Sequence, residues 1–419
     1  MIRRVFFLKL SLLWALSTTC VIAIAATRRL EPSFNLVGEI IDLQHAIRIS
    51  RQDANPQATS CSSPSSRWLK DLVEDVSEED LSNLFEWHLH VLPFVYKLYV
   101  APRQYEQEYF GLDGEYTQEI TTVHNQAQDF WSDAGSDVLD EIYILCAHGS
   151  DLADRHDKLI PTLELLFQDN YDTNYTVYDH ADEIQEWVAQ STFWSFIPLH
   201  KNSQYFFTPS RLITRLPGGY NFPLLTFNAF ATDEKGDEES SIIIGDGYFQ
   251  FQTALGMDSE GPEYAHTHEF AHHLQFLLGV SETQSGIAQV AKKSELMADA
   301  FSAYFLAHNQ GGSMVADEIS NVNSVAFSVG DCEISHEGHH GTPIQRRCAT
   351  VWGAALADHE EIDKKMDIFE LETRFNEWFA RVDDLDESCQ HIHSAATQRA
   401  YPTLFLQAFL VGGVVAMLL

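Results

Sequence analysis

Apolar positions along most of the chain recur at helical spacing. Residues 36–49 carry them three and four apart, and residues 69–100 resume the pattern until Ala101-Pro102 stops it; further helices are predicted over 106–131, 158–167 and 181–193. Between the first two, the Ser-rich run 59–66 reads as a linker. The period changes at residues 241–251. There the β-branched run Ile242, Ile243, Ile244 and the aromatics Tyr248, Phe249 and Phe251 predict a strand, with Gly245-Asp246-Gly247 as a bulge or bend. The stretch is no dinucleotide loop, because Gln250 stands where the third glycine belongs and no helix clearly follows. Downstream a helix is expected to end near Gly279, turn through residues 281–286, and be followed by a second helix running back antiparallel. The pattern predicts an α+β, mainly helical protein without internal repeats, with a helical region over 26–222 and the strand and paired helices in 223–393.

Both ends of the chain are apolar. Arg3 and Arg4 precede a run over residues 5–25 that closes on Ala23-Ile24-Ala25, the pattern of a cleaved secretory signal peptide at 1–25. Leu404 to Leu419 is short for a span of about 20 residues. With the small residues Ser394-Ala395-Ala396 and a short spacer before it, segment 394–419 reads as a GPI-attachment signal or a hydrophobic anchor. The expected location is therefore extracellular, at the cell surface.

The chemistry concentrates in Ala265-His266-Thr267-His268-Glu269-Phe270-Ala271-His272-His273 and in Glu295-Leu296-Met297-Ala298-Asp299. On a helix, His268 and His272 stand one above the other and converge on one metal ion. Glu269 then lies beside the ion, where a carboxylate can take a proton from water whose pKa zinc lowers to about 7. A catalytic zinc needs a third protein ligand, and Glu295 on the returning helix is the best candidate. Asp299, one turn further, is placed to accept the free ring N–H of a ligating histidine. Ala298, Ala300, Ser302 and Ala303 keep that helix slim enough for close approach. His266 and His273 read as supporting or surface groups. The substrate is expected along the strand, at Ile244 and Tyr248, and donors for a developing oxyanion are sought among His336, His339, His340, Tyr248 and Tyr264.

These residues resemble the bacterial neutral zinc metallopeptidases, which carry H-E-x-x-H-H-x-Q, then E-L-x-A-D-x-F, then H-G-T-x-x-Q-R before a tryptophan. The blocks stand here as His268 to Gln275, Glu295 to Phe301, and His340-Gly341-Thr342-Pro343-Ile344-Gln345-Arg346 with Trp352, and the resemblance covers roughly residues 242–352, about a quarter of the chain. Where that family commonly has glycine before the second ligand, this sequence has Ala271. The resemblance implies a zincin-like fold with His268, His272 and Glu295 on Zn2+ and Glu269 as general base. It also favours His340 as the catalytic donor, and it implies protein or peptide substrates. The alternative is a zinc-stabilised surface protein for binding or adhesion, to which a base such as Glu269 would be of no use.

Charge and cysteines narrow the classes further. With 26 basic against 61 acidic residues the formal charge is −35, which excludes nucleic acid as a natural partner. Beyond Cys20 in the leader the cysteines are odd in number, and Cys332 with Cys348, bracketing the His340 loop, is the expected disulfide. Asn174-Tyr175-Thr176 is a glycosylation sequon. Cys146, on the apolar run 142–147, reads as a core or disulfide cysteine, since no nucleophile elbow surrounds it.

Overall fold

A computed structural model describes residues 63–101, 108–139, 141–167, 171, 175–189, 215–233, 239–280, 288–332, 339–358, 364–382 and 389. The leader, the C-terminal tail, the helix expected at 36–49, His336 and Asn174 lie outside them. In chain order the elements are α1 (Pro64–Leu72), α2 (Glu78–Glu86), α3 (Leu92–Val95, continued by a wider turn over Tyr96–Val100), α4 (Thr117–Leu139), β1 (Tyr143–Ala147), α5 (Ile160–Phe167), α6 (Val177–Ala189), β2 (Ala229–Thr232), β3 (Ser241–Gly245), α7 (Asp246–Ala254), α8 (Gly261–Leu278), α9 (Ala288–Ala307), α10 (Ala316–Val329), α11 (Pro343–Asp358) and α12 (Ile368–Phe379). The chain is thus α+β and mainly helical. Among the described residues no helix is long and apolar enough to cross a membrane.

The Ser-rich run is a helix start rather than a linker where it is described. Ser63 accepts from the Ser66 amide and Pro64 opens α1, so serine and proline here supply a cap and a pre-set φ. The helix expected over 69–100 is broken into α1, α2 and α3, and His88, at φ 54, lies in the break before α3.

β3 is the middle strand of a three-stranded sheet ordered β1-β3-β2, parallel to β1 and antiparallel to β2. Both faces are covered. Cys146, Ile242 and Ile244 join the core built with α4, α8 and α9, while Leu145, Ala147, Ile243 and Phe230 pack on Val91, Phe94 and Val95. Burial on both sides is what an unbroken isoleucine run requires. Because β1 precedes residue 223 and α4 packs on α8, the expected boundary at 222 cuts through one sheet and one core.

The predicted strand over 241–251 is corrected by the structure: it ends at Gly245, and Asp246 begins α7. Two glycines allow the switch. A Cβ on Gly245 would stand 2.0 Å from the Thr226 carbonyl oxygen, and one on Gly247 1.9 Å from that of Pro223. Ile244 is therefore a buried residue of a central strand, and Tyr248 belongs to a helix; neither lies on an edge that a substrate could extend.

α8 begins with Pro262 in its first turn and ends where Gly279 turns left-handed at φ 66, as the sequence predicts. From Gly261 to Gln275 nearly every residue is buried, so α8 is the axis of the core rather than a surface helix. His266 and His273 are accordingly interior groups, which corrects the surface reading. His266 Nε2 meets His124 Nδ1 of α4 at 3.0 Å, and His273 Nε2 lies 3.3 Å from the Ser241 carbonyl oxygen. Burial lowers the pKa of His124 to about 4 and that of His273 to about 3, so both rings are neutral in the core.

The expected disulfide is also corrected. Cys348, buried on α11, bonds Cys389, with the two Cα atoms 5.5 Å apart, and Cys332 is disulfide-bonded without it.

At the α4–α8 contact, burial and neighbouring carboxylates raise both Glu119 and Glu263 to about 7. A carboxyl raised in the fold contributes stability that is complete below the unfolded value of 4.5 and is lost as pH climbs through about 7. Glu119→Gln should therefore melt above wild type at pH 8, with the gap closing toward pH 4 in thermal scans; an equal gap at both pH values would refute the assignment.

Candidate metal centre

α8 and α9 run antiparallel, as three cross-links along them show. Thr267 meets Ser302, His268 meets Glu295 and Asp299, and Gln275 Nε2 donates to the Ser294 carbonyl at 2.8 Å. The small residues expected to allow close approach do so on two sides of α9. Ser302 touches α8, and Ala300 faces Gly353 of α11, where a Cβ would stand 2.0 Å from the Ala300 carbonyl oxygen.

Three donor groups converge. His268 Nε2 lies 3.2 Å from Glu295 Oε2, His272 Nε2 lies 3.6 Å from Glu295 Oε1, and the three donor atoms stand within 4.8 Å of one another. The opposite ring nitrogens face acceptors: His268 Nδ1 is 3.0 Å from Asp299 Oδ1, an ion-pair contact without hydrogen-bond alignment, and His272 Nδ1 is 3.2 Å from Gln275 Oε1. Ser294 Oγ donates to the same Gln275 oxygen at 2.6 Å and fixes the amide. With the proton on Nδ1 of each ring, both Nε2 atoms would offer their lone pairs to an ion bound with Glu295, the tautomer a metal needs; without the ion, His268 Nε2 faces Glu295 as a donor. This donor set fits a metal ion.

The residue that organises the site is Asp299, 0 % exposed on α9 and met by side chains of α8 and α11. Arg346 of α11 grips both of its oxygens, through Nε to Oδ2 and through Nη2 to Oδ1 at 2.8 Å, and the Tyr264 hydroxyl donates to Oδ1. Arg346 Nη1 also reaches Glu295 Oε2 at 3.2 Å, so one guanidinium holds a metal ligand and that ligand's neighbour together. Burial pushes Asp299 up, but Arg346 and His268 outweigh it and hold the carboxyl below its ordinary range. Burial acts on Glu295 the same way, and His340, His268, His272 and Arg346 together hold it well below.

The histidines part company. Burial drives His272 down to about 4 despite Glu295, leaving a neutral imidazole. Burial also presses on His268, yet Asp299 and Glu295 hold it up to about 10, so without a metal this position favours a positive charge.

The structure thus brings together His268, His272, Glu295 and Asp299 as the sequence predicts, with Glu269 buried on the same helix. His340 adjoins Glu295 electrostatically, and its amide donates to Asp331 Oδ2 at 2.7 Å; it stands outside the three-residue donor group. Tyr264 is committed to Asp299 and so is unsuited to stabilising an oxyanion. Tyr248 reaches the site from α7: burial raises its phenol, Arg346 pulls it down, and Glu269, Asp299 and Glu295 raise it further, so the hydroxyl keeps its proton. Sequence reasoning gave Arg346 and Gln275 no role. Both lie inside the quoted motif blocks, and the surplus of carboxylates over cations around Asp299 is the signal that could have singled out Arg346.

No protein-family model, no curated protein and no solved structure matches the chain. The functional reading rests on the geometry of the site and the motif blocks that form it.

Two substitutions separate the layers of the site. Asp299→Asn should weaken metal binding by about 10- to 100-fold, read by competition with a chromogenic chelator. Arg346→Met strands a buried carboxylate and should cost about 3–5 kcal/mol in denaturant unfolding; a loss below about 1 kcal/mol would show that Arg346 does not organise the site.

Proposed function

We propose that the protein is a zinc-dependent peptidase of zincin-like design, acting on protein or peptide substrates outside the cell. The carrying observation is Glu269, a buried carboxylate on α8 one residue from a metal ligand and outside the donor group that would hold the ion. A site that used metal only as structure would close its coordination with protein ligands and would have no use for such a carboxylate.

Charge supports a divalent ion. Glu295 and Asp299 share the one guanidinium of Arg346 and Glu269 is buried on the helix of the two histidines, so three carboxylates stand against one fixed cation, and a doubly charged ion closes the difference. Nitrogen and oxygen donors with one position left open suit zinc. Zinc bound there would supply Lewis acidity, polarising a scissile carbonyl and making water a better nucleophile.

The protein's own groups do the rest. Glu269 accepts the proton of the attacking water and returns it to the leaving amine. The Tyr248 phenol, kept protonated, donates to the carbonyl oxygen as negative charge develops; His340, beside Glu295, is the second donor of this kind. Arg346 and Asp299 hold the ligands in place while the buried walls of α8 and α9 exclude solvent. With β3 enclosed, the strand available to an extended substrate is β2, an edge among the described residues and packed on α8.

Secretion and membrane attachment through a GPI anchor fit this reading. The apolar leader and tail support them, and so does the Cys348–Cys389 disulfide, which suits an oxidising compartment.

Cleavage of an unstructured protein by wild type and by Glu269→Gln, with zinc assayed in both, tests the proposal. The variant should keep its zinc and lose at least about 10²-fold in kcat/KM. Equal turnover in the two would remove Glu269 from the mechanism, and absence of cleavage by fully loaded wild type on a broad peptide library would favour the binding-protein alternative.

A further inference from the structure

A second constellation lies at the carboxyl ends of β1 and β3. Cys146 and His148 are two apart on extended backbone and so face the same way, and the parallel register that pairs Ala147 with Gly245 sets Asp246 beside His148. All three are buried, at 0 %, 2 % and 3 % exposure. His148 Nδ1 is 2.9 Å from Asp246 Oδ2, Cys146 Sγ is 3.6 Å from Asp246 Oδ1, and Sγ and Nδ1 are 3.9 Å apart.

Two chemistries use a thiol, an imidazole and a carboxylate. A nucleophilic relay places thiol and carboxylate on opposite nitrogens of the ring, so that the proton is passed across it. Here both face Nδ1, while Nε2 is buried without a partner among the described residues, and no path through the ring leads from sulfur to carboxylate.

Convergence on a single point is instead what a metal ion asks for. Tetrahedral zinc bound by sulfur, nitrogen and oxygen separates its donors by about 3.4–3.6 Å, within about half an ångström of the distances found. Thiolate, carboxylate and neutral imidazole carry two negative charges, which a divalent ion neutralises in a site shut off from water. Asp246 opens α7, whose N-terminal end further favours the anionic forms of these ligands. Tyr109 stacks on the His148 ring at 4.0 Å between centroids and is itself 40 % exposed, so a single side chain separates the cluster from solvent.

We propose that Cys146, His148 and Asp246 form a second metal centre, for a divalent ion of zinc type, which ties the ends of β1 and β3 to the start of α7. Binding releases the thiol proton to solvent and leaves Cys146 as thiolate. This site is independent of the one on α8 and α9, which contains no sulfur.

That difference supplies the test. The purified protein is stripped of metal and reloaded with Co2+, and the near-ultraviolet spectrum is read for a thiolate-to-cobalt charge-transfer band. Wild type should show the band and bind about two ions per chain; Glu295→Gln should keep the band with about one ion; Cys146→Ser should lose the band and keep about one. Cobalt-loaded wild type without the band, or a band that survives in Cys146→Ser, overturns the proposal. Should Cys146→Ser not fold, His148→Gln is read instead: it keeps the thiol, and its cobalt affinity at the banded site must fall at least about tenfold, an unchanged affinity overturning the proposal equally.

Discussion

Everything around the main site depends on one buried ion. Asp299 is fully buried, and an isolated carboxylate in that position would cost several kcal/mol to keep charged. Its partners come from two helices, Tyr264 and His268 from α8 and Arg346 from α11, and Asp299 itself stands on a third, α9. Satisfying the carboxylate therefore fixes the mutual placement of all three. The candidate metal-binding group follows, because His268 is one of those partners and Glu295 shares the guanidinium. The same geometry needs α11 close against α9, which the Gly353–Ala300 contact permits and a larger residue would prevent.

The remainder of the fold supports this arrangement by enclosing it. α8 can carry histidines and glutamate on an interior helix because the sheet, α4, α9 and α10 cover its different sides. Three buried imidazoles on it find a local partner for one ring nitrogen: His266 Nε2 meets His124, His273 a strand carbonyl, and His272 Gln275. Neutral rings where no anion is near, and an imidazolium-favouring field at His268 alone, mark out the position where positive charge belongs.

What the sequence makes legible is the chemistry that local spacing encodes. His268, Glu269 and His272 lie within one turn and a half of helix, and a return through a turn after Gly279 suffices to bring Glu295 and Asp299 back. What it hides depends on distant backbone. The isoleucine run looks the same whether the strand continues or stops at Gly245; the reason it stops is the close passage of residues 223–226. Cys348 appears to belong with Cys332 across the His340 loop, yet on α11 it faces inward toward Cys389. Cys146, His148 and Asp246 become neighbours only through the register of two parallel strands, which no local pattern announces.

The two clusters also differ in how far apart along the chain their parts lie. Gln275 and Ser294, at one end of the helical site, are separated by 19 residues, whereas Cys146 and Asp246 are separated by 100. At about 0.6 kcal/mol of closure entropy for each doubling of loop length, the strand-end cluster carries about 1.4 kcal/mol more, before the parallel sheet itself has formed. Long-range parallel pairing is slow to form, and antiparallel helices joined by a short turn are fast. That difference favours an order of assembly in which His268, His272 and Glu295 meet while the sheet is still open, and the closing of β1 onto β3 comes late, as the event that completes the interior.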